Sequence, residues 1–451
     1  MEEEKTKELA GQMVEPLLDW FAENARKLPW RDDPKPYYVW ISEIMLQQTR
    51  VEAVRGYFRR FIAELPDIKA LAEADDERLL KLWEGLGYYS RVKNLKKAAA
   101  AVMEKYDGQL PSAPEELRKL PGIGSYTAGA VASIAFGKKA AAVDGNVLRV
   151  MMRLWGSRSD ISKDAVKKQV GSCLESVMPK QYAGAFNQAL MELGAIVCLP
   201  NGRPLCGECP VREICSANRE GLQEELPVKP AKKPRKIEEK TILVLETDEG
   251  ILVRKRAEKG LLAGLWEYPH FEGKQPEEYV KSRLGAAGLT VACIRALGEA
   301  KHIFSHIEWR MTGYYIRLAH RAGLSEAAGK AAEEEAQYGE TADAERSGST
   351  GRAETLGQSD STDGEPQAAG RSGSTGRAEI LGQSGSTDGE PQAAERSGGT
   401  GRAEIFGQCE AALRGCIPVH PRKLREEYSM PAAFDAYQIL LRHKNQPDEE
   451  V

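Results

Sequence analysis

The first 269 residues contain no histidine; all six histidines of this 451-residue chain lie at or beyond His270. Nothing built wholly from the first half can use imidazole as a base or a metal ligand. No apolar run approaches the ~18 residues that a bilayer span requires, and the charged start Met1–Lys7 lacks the form of a signal peptide. The expectation is a soluble protein of the bacterial cytoplasm, a monomer with no membrane partner. Cysteine is scarce outside one place: of eight, four fall between Cys198 and Cys215, which suits a metal centre better than a disulfide framework.

Net charge is −4, too low at first sight for a nucleic-acid partner, but its distribution is uneven. Residues 321–414 carry a net −8, so the remainder carries +4, and residues 228–320 alone carry +5. A DNA-facing surface is therefore allowed. The segment 321–414 repeats itself: Gly351–Glu354 recurs at Gly376–Glu379 and Gly401–Glu404, a period of 25 residues. Its Gly, Ser, Thr, Ala, Glu and Gln composition cannot bury enough apolar surface to offset chain entropy. It reads as a disordered repeat inserted into a domain.

Helical periodicity fills the stretch before it. One long helix is expected over Tyr38–Leu65, with others over Asp75–Leu86, Val92–Tyr106, Glu115–Leu120, Tyr126–Phe136, Val147–Trp155, Ser162–Val177 and Ala183–Ala195. A Pro- and Lys-rich tether follows, and after it the pattern changes to short β-type runs at Thr241–Glu246, Gly250–Arg256 and Met311–Leu318. The expected organisation is multidomain: an all-α domain over 1–227, a linker over 228–239, an α+β domain over 240–320 and 415–445, and the insert over 321–414.

Five motifs carry chemistry. Cys198, Cys206, Cys209 and Cys215, spaced C-x7-C-x2-C-x5-C, can converge on one metal centre, a zinc or an iron–sulfur cluster. Leu120-Pro121-Gly122-Ile123-Gly124-Ser125 opens a helix whose N-terminal N–H groups make an anion site for a DNA phosphate, with glycines allowing positive φ and close approach. Asp144, in Val143-Asp144-Gly145-Asn146, is both a helix N-cap and a candidate catalyst. Trp30-Arg31 precedes Trp40-Ile41-Ser42-Glu43-Ile44-Met45-Leu46-Gln47-Gln48-Thr49, where Glu43 sits among apolar neighbours, and Gly85-Leu86-Gly87-Tyr88-Tyr89-Ser90-Arg91 contains a Gly-flanked aromatic loop suited to separating stacked bases. The fifth is Gly260–Pro269 followed by His302-Ile303-Phe304-Ser305-His306.

Together these motifs resemble the MutY-type adenine DNA glycosylases of the endonuclease III superfamily, a helix–hairpin–helix–Gly-Pro-Asp domain joined to a Nudix-like domain. The cysteine pattern departs from the superfamily's by one residue, x7 for x6, within a turn-rich stretch. The resemblance implies a [4Fe–4S] cluster on the four cysteines that orders a DNA-facing loop and takes no part in the chemistry. It implies base flipping, with Glu43 and Asp144 as the catalytic carboxylates and Tyr126 beside them. Trp30, Arg31 and Gln188 would line the adenine pocket. Gln48, Leu86, Tyr88, Gly122 and Gly124 would meet the duplex, and Ser305 and His306 would contact 8-oxoguanine in A:8-oxoguanine or A:G mispairs.

The lyases of the superfamily carry a Schiff-base lysine where this chain has Tyr126, so the expected enzyme is monofunctional. An endonuclease III-like lyase on damaged pyrimidines is disfavoured for that reason. A non-catalytic iron–sulfur lesion binder would have lost a carboxylate. A zinc deaminase would need an H-x-E that the first half cannot supply. The Nudix hydrolase box R-E-x-x-E-E is missing from the second domain, so pyrophosphatase activity is not expected there.

Overall fold

In the computed structural model, which describes residues 2–230, 234–319 and 411–442, the helical sequence divides between two hydrophobic cores. One gathers apolar residues from Leu28 to Ala140, among them Trp40, Phe58, Phe61 and Trp83. The other combines Ala10, Met13 and Leu17 with residues from Val147 to Val211. The second lobe is thus closed by the chain's own first helices, Glu2–Gln12 and Val14–Asn24. The Ala140–Asp144 segment crosses from one lobe to the other.

That crossing is tightly fixed. Asn187, fully buried, accepts the N–H of Ala142 at 3.1 Å and donates to the Ala140 carbonyl and to Ser133 Oγ, both at 2.8 Å. Helix Ser125–Ile134 passes so close that a Cβ on Gly129 would lie 2.1 Å from the Ala141 carbonyl oxygen. Helix Ala183–Ile196 is equally close on the other side, because a Cβ on Gly194 would fall 2.5 Å from that of Asn146. Small residues here let three backbones meet where Asp144 begins its helix.

The helix expected over Tyr38–Leu65 is two helices, Pro36–Leu46 and Val51–Glu64. Between them Gln48 takes a left-handed backbone, φ 57°, which no helix interior tolerates. The other expected helices are present with shifted ends, at Asp76–Leu82, Ser90–Lys105, Pro114–Leu117, Ser125–Ile134, Gly145–Trp155, Asp164–Val177 and Ala183–Ile196.

Among the described residues the second domain is a mixed sheet of seven strands: β1 (Lys236–Glu246), β2 (Ile251–Lys255), β3 (Trp266–Glu267), β4 (His270–Glu272), β5 (Val291–Ile303), β6 (Ile307–Leu318) and β7 (Cys416–Val419). Their order is β3-β2-β1-β6-β5, with β4 against β1 and β7 against β2. β1 and β6 run parallel over eleven residue pairs, and β5 and β6 form the antiparallel hairpin whose turn carries Ser305 and His306. Helix Glu277–Ala286 covers one face through Val280 and Leu284, while Leu424, Phe434 and Tyr437 cover the other. Two boundaries move. β1 begins at Lys236, inside the stretch read as linker, and Ala411–Arg414, read as insert, is part of the domain: Ala412 is buried and Arg254 donates to the carbonyls of Ala411 and Ala412. The repeats themselves fall outside the described residues.

Between the domains, Leu265 of the second enters the core of the first lobe. Glu77 accepts from Lys255 Nζ at 2.6 Å and Trp266 Nε1 at 3.0 Å, and Glu84 accepts the N–H of Met430 at 2.8 Å. No helix among the described residues is long and apolar enough to cross a membrane.

Candidate active site and DNA-facing loops

Helix Pro36–Leu46 is almost wholly apolar, and it carries Glu43 into the protein at 6% exposure. The hydroxyl of Tyr126, one residue into the hairpin helix, donates to Glu43 Oε2 at 2.5 Å and also reaches Met191 Sδ at 3.2 Å. Burial is the strongest influence on Glu43 and pushes its pKa up to about 7; the Tyr126 bond opposes this and the charge of Asp144 adds to it. The Tyr126 hydroxyl is driven well above the ordinary tyrosine range, first by burial and then by the carboxylate of Glu43.

Asp144 caps helix Gly145–Trp155: Oδ1 accepts the N–H of Val147 at 2.8 Å and Oδ2 accepts Asn146 Nδ2 at 2.7 Å. These bonds favour the carboxylate, as expected of an N-cap, but burial is the stronger influence, and the pKa of Asp144 stands above the ordinary aspartate value. The sequence reading foresaw the cap and not the desolvation. Asn146 is held in turn by Arg149 Nη2 at 2.9 Å, and Arg149 Nε donates to the Cys198 carbonyl at 2.7 Å. A continuous hydrogen-bonded path therefore joins Asp144 to the cysteine loop.

The side chains expected to hold a base form a charged network on the second lobe. Arg31 donates to Gln188 Oε1 and to Glu192 Oε2, both at 3.0 Å, and Arg26 pairs with both oxygens of Glu192 at 2.7 and 3.0 Å. The guanidinium bonds overcome burial and hold the Glu192 carboxyl at about 2. Arg26 and Glu192 were missed in sequence; Glu192 lies one helical turn beyond Gln188, which is the signal that could have found it. Trp30 lies apart from this network in the first-lobe core, 5% exposed and packed edge-on against Phe58 at 5.4 Å between ring centres, so it offers no open face.

Of the residues expected at the duplex, Gln48, Gly122, Gly124, Ser305 and His306 are exposed and Tyr88 is 46% exposed. Leu86 is the exception: it is 6% exposed and packs into the first-lobe core, because the loop turns it inward and Tyr88 outward. Gly122 has the expected positive φ, 77°, and a Cβ there would lie 2.8 Å from that of Asn94. Gly124 is extended instead, φ −87°, and open space lies where its Cβ would be, so nothing within the fold requires a glycine there. The Tyr88 hydroxyl and Ser305 Oγ lie 2.9 Å apart, which joins the helical domain's loop to the β5–β6 turn.

Gln48 and Tyr88 both hold left-handed backbones, φ 57° and 48°, costing roughly 1–2 kcal/mol each for a residue with a side chain. The residue between them in space is Arg91, which closes the Gly85–Arg91 motif and was given no role of its own in sequence. Its fork donates to the carbonyls of Ile44, Met45, Gln47, Leu86 and Gly87 and to Thr49 Oγ1, at 2.7–3.3 Å.

Cys198, Cys206, Cys209 and Cys215 are free, half-buried thiols lining one cavity with Val150, Leu154 and Val211. No three His, Cys, Asp or Glu side chains among the described residues converge as ligands of a single metal ion. Four thiols around a shared apolar cavity suit a polynuclear cluster better than one zinc. Arg153 Nη1 lies 3.2 Å from Cys198 Sγ, a hydrogen bond fit for a thiolate.

Residues 41–175 match the model of the HhH-GPD superfamily base excision DNA repair proteins, and residues 241–345 match a NUDIX domain model. The human adenine DNA glycosylase is 36% identical over an alignment of 362 residues that covers 67% of this chain and 66% of that protein. The adenine DNA glycosylase of Buchnera aphidicola subsp. Acyrthosiphon pisum is 37% identical over 316 residues, 69% of this chain and 88% of that one. The structure of a thermostable thymine-DNA glycosylase aligns at 29% identity and a TM-score of 0.44, over 48% of this chain and 99% of that one. The fold and site define a base-excision glycosylase of the helix–hairpin–helix class. The chain belongs to the adenine DNA glycosylase family.

The state of Glu43 makes stability depend on pH. Its folded pKa, about 7, lies above the ordinary 4.5, so ionisation is harder in the folded protein. The stability Glu43 contributes is whole below about pH 4.5 and is lost as pH rises through about 7. Glu43→Gln, which still accepts the Tyr126 hydrogen bond, should stabilise the protein at pH 8 by up to about 3 kcal/mol relative to pH 5. Thermal unfolding of both forms at the two pH values measures this; an equal difference at both would refute it.

Proposed function

We propose that this chain removes adenine from duplex DNA by extruding the base and hydrolysing its N-glycosidic bond. One observation carries the reading: Glu43, buried and hydrogen-bonded by Tyr126, faces the charge of Asp144 across the junction of the two lobes. With a pKa of about 7, Glu43 is half-protonated at neutrality and can serve as an acid. It delivers a proton to adenine N7, and the electron pair of the breaking C1′–N9 bond leaves with the base. Asp144 stabilises the cationic sugar, water adds at C1′, and the ionised Glu43 accepts that water's proton. At the lyase position, Tyr126 offers a hydroxyl already engaged with Glu43, so no amine stands there to form an imine. Arg31 and Gln188 meet the polar edge of the extruded base. Glu43→Gln should lower single-turnover excision at neutral pH by at least ~100-fold while duplex binding persists; near-normal excision would remove Glu43 from the role of acid.

The favoured mispair is A:8-oxoguanine, ahead of A:G. Ser305 and His306 present a hydroxyl and an imidazole on an exposed turn, beside the Tyr88 loop that would part the bases. Changing both to Ala should reduce the preference for A:8-oxoguanine over A:G and spare excision from A:G. Equal loss on the two duplexes would point instead to a general defect in binding.

The four thiols, as thiolates, would hold a [4Fe–4S] cluster, which supplies an internal cross-link for residues 198–215 and takes no part in glycosidic cleavage. Purified without oxygen, the protein should be brown and hold about four iron atoms per chain, read by iron analysis and visible absorption. Stoichiometric zinc with no iron would overturn the assignment.

A further inference from the structure

The two loops expected to enter the duplex are separated in sequence by some forty residues, yet one side chain holds both. Nη1 of Arg91 takes the carbonyls of Ile44, Met45 and Gln47, where helix Pro36–Leu46 ends and the Gln48 turn begins. Nη2 takes Thr49 Oγ1 from the same turn and the carbonyls of Leu86 and Gly87 from the Tyr88 loop. Arg91 is 8% exposed, and among the described residues none of these partners is a carboxylate. The charge is compensated by the carbonyl end of a helix and by the ring faces of Trp83 and Tyr88, at 5.4 and 5.6 Å. Burial draws its pKa down to about 10, so it remains a cation at neutral pH.

A buried cation with no acid partner costs folding energy, and a simpler packing would serve the core equally well. What the fork accomplishes is specific. It fixes the Gln48 turn and the Tyr88 loop to one rigid plane, and each contains a residue whose left-handed backbone would otherwise relax. The Trp83 indole adds a bond to the Gly87 carbonyl at 3.1 Å, and the Tyr57 hydroxyl one to the Glu84 carbonyl at 2.7 Å, so the Tyr88 loop is held from below along its length.

We infer that Arg91 is a positioning residue for base extrusion: it sets Gln48 and Tyr88 at a fixed spacing, so that both enter the duplex together. This rests on the base-flipping reading above. Lysine is a point cation with no planar fork, and it cannot span the two loops.

The test compares wild type with Arg91→Lys on two duplexes, one with the target adenine in an A:8-oxoguanine pair and one with it unpaired opposite an abasic-site analogue. Extrusion is followed separately by fluorescence of 2-aminopurine at the target position. Arg91→Lys should lower extrusion and excision of the paired adenine by at least about tenfold, since displacements near 1 Å can cost about 100-fold. The unpaired adenine, already unstacked, should lose less than about threefold. Thr49→Val, which withdraws a single acceptor and leaves Arg91 in place, should show the same paired-selective loss at roughly two- to threefold; it decides the matter if thermal unfolding shows that Arg91→Lys is not folded. Equal loss on both duplexes, or unchanged extrusion of the paired base, would overturn the inference. Wild type that excises adenine from neither duplex would overturn the functional reading instead.

Discussion

A carboxyl group held almost entirely out of water is the constraint around which the helical domain is arranged. Glu43 lies on a helix with no polar face, and among the described residues its hydrogen-bond partner is the Tyr126 hydroxyl. Isolating a carboxylate in this way would be severe if it had to stay ionised. Raising its pKa to about 7 is the alternative, and the two-lobe architecture maintains that state. Glu43 and Tyr126 come from the first lobe, Met191 from the second, and Asp144 from the segment that crosses between them. Moving the lobes apart would admit water and return Glu43 to an ordinary carboxylate.

Asp144 and Glu192 are also buried, but bonds that favour the charge offset burial only in part at Asp144 and more than offset it at Glu192. Asp144 has charge-favouring bonds from the Val147 N–H and from Asn146, and Glu192 has two guanidinium groups. Glu192 is therefore fixed as an anion, and it orients Arg31 toward Gln188 without itself being available to give a proton. Three carboxyl groups within one helical domain thus differ in proton affinity: burial outweighs the bonds at Glu43 and Asp144, and ion pairing outweighs burial at Glu192. Arg149 extends the arrangement to the Cys198 backbone, so the orientation of Asn146, and through it of Asp144, depends on how the cysteine loop is folded.

Much of this was legible in the sequence. The helices of the first domain and the cysteine cluster follow from local pattern, whereas Glu43, Asp144 and Tyr126 were singled out by the family resemblance that their motifs carry. The missing parts are those that depend on contacts distant in sequence. The Gln48 break was hidden by apolar periodicity that runs through it, and only Arg91, forty-odd residues on, accounts for it. Leu86 was read as outward because a Gly-flanked aromatic loop gives no sign of which side chain turns in. Residues 411–414 resemble the insert in composition, and their place in the second domain is set by Arg254.

The junction between domains brings these strands together. Its outer contacts are ion pairs with at least one well-exposed partner, such as Lys93 with Glu258 at 3.2 Å, and such pairs contribute little. The firmer attachment is Leu265 in the first-lobe core, together with Trp266 on Glu77 and the Met430 N–H on Glu84. Glu84 adjoins the loop that carries Tyr88, and its own carbonyl is held by Tyr57. The second domain is therefore fastened at the base of the very loop whose tip meets Ser305. In the proposed function the turn reads one strand and the loop parts the stack; the two share a single support, so their spacing is set before DNA arrives. Binding need not bear the ordering cost of bringing them together, which is the energetic advantage of a preorganised site.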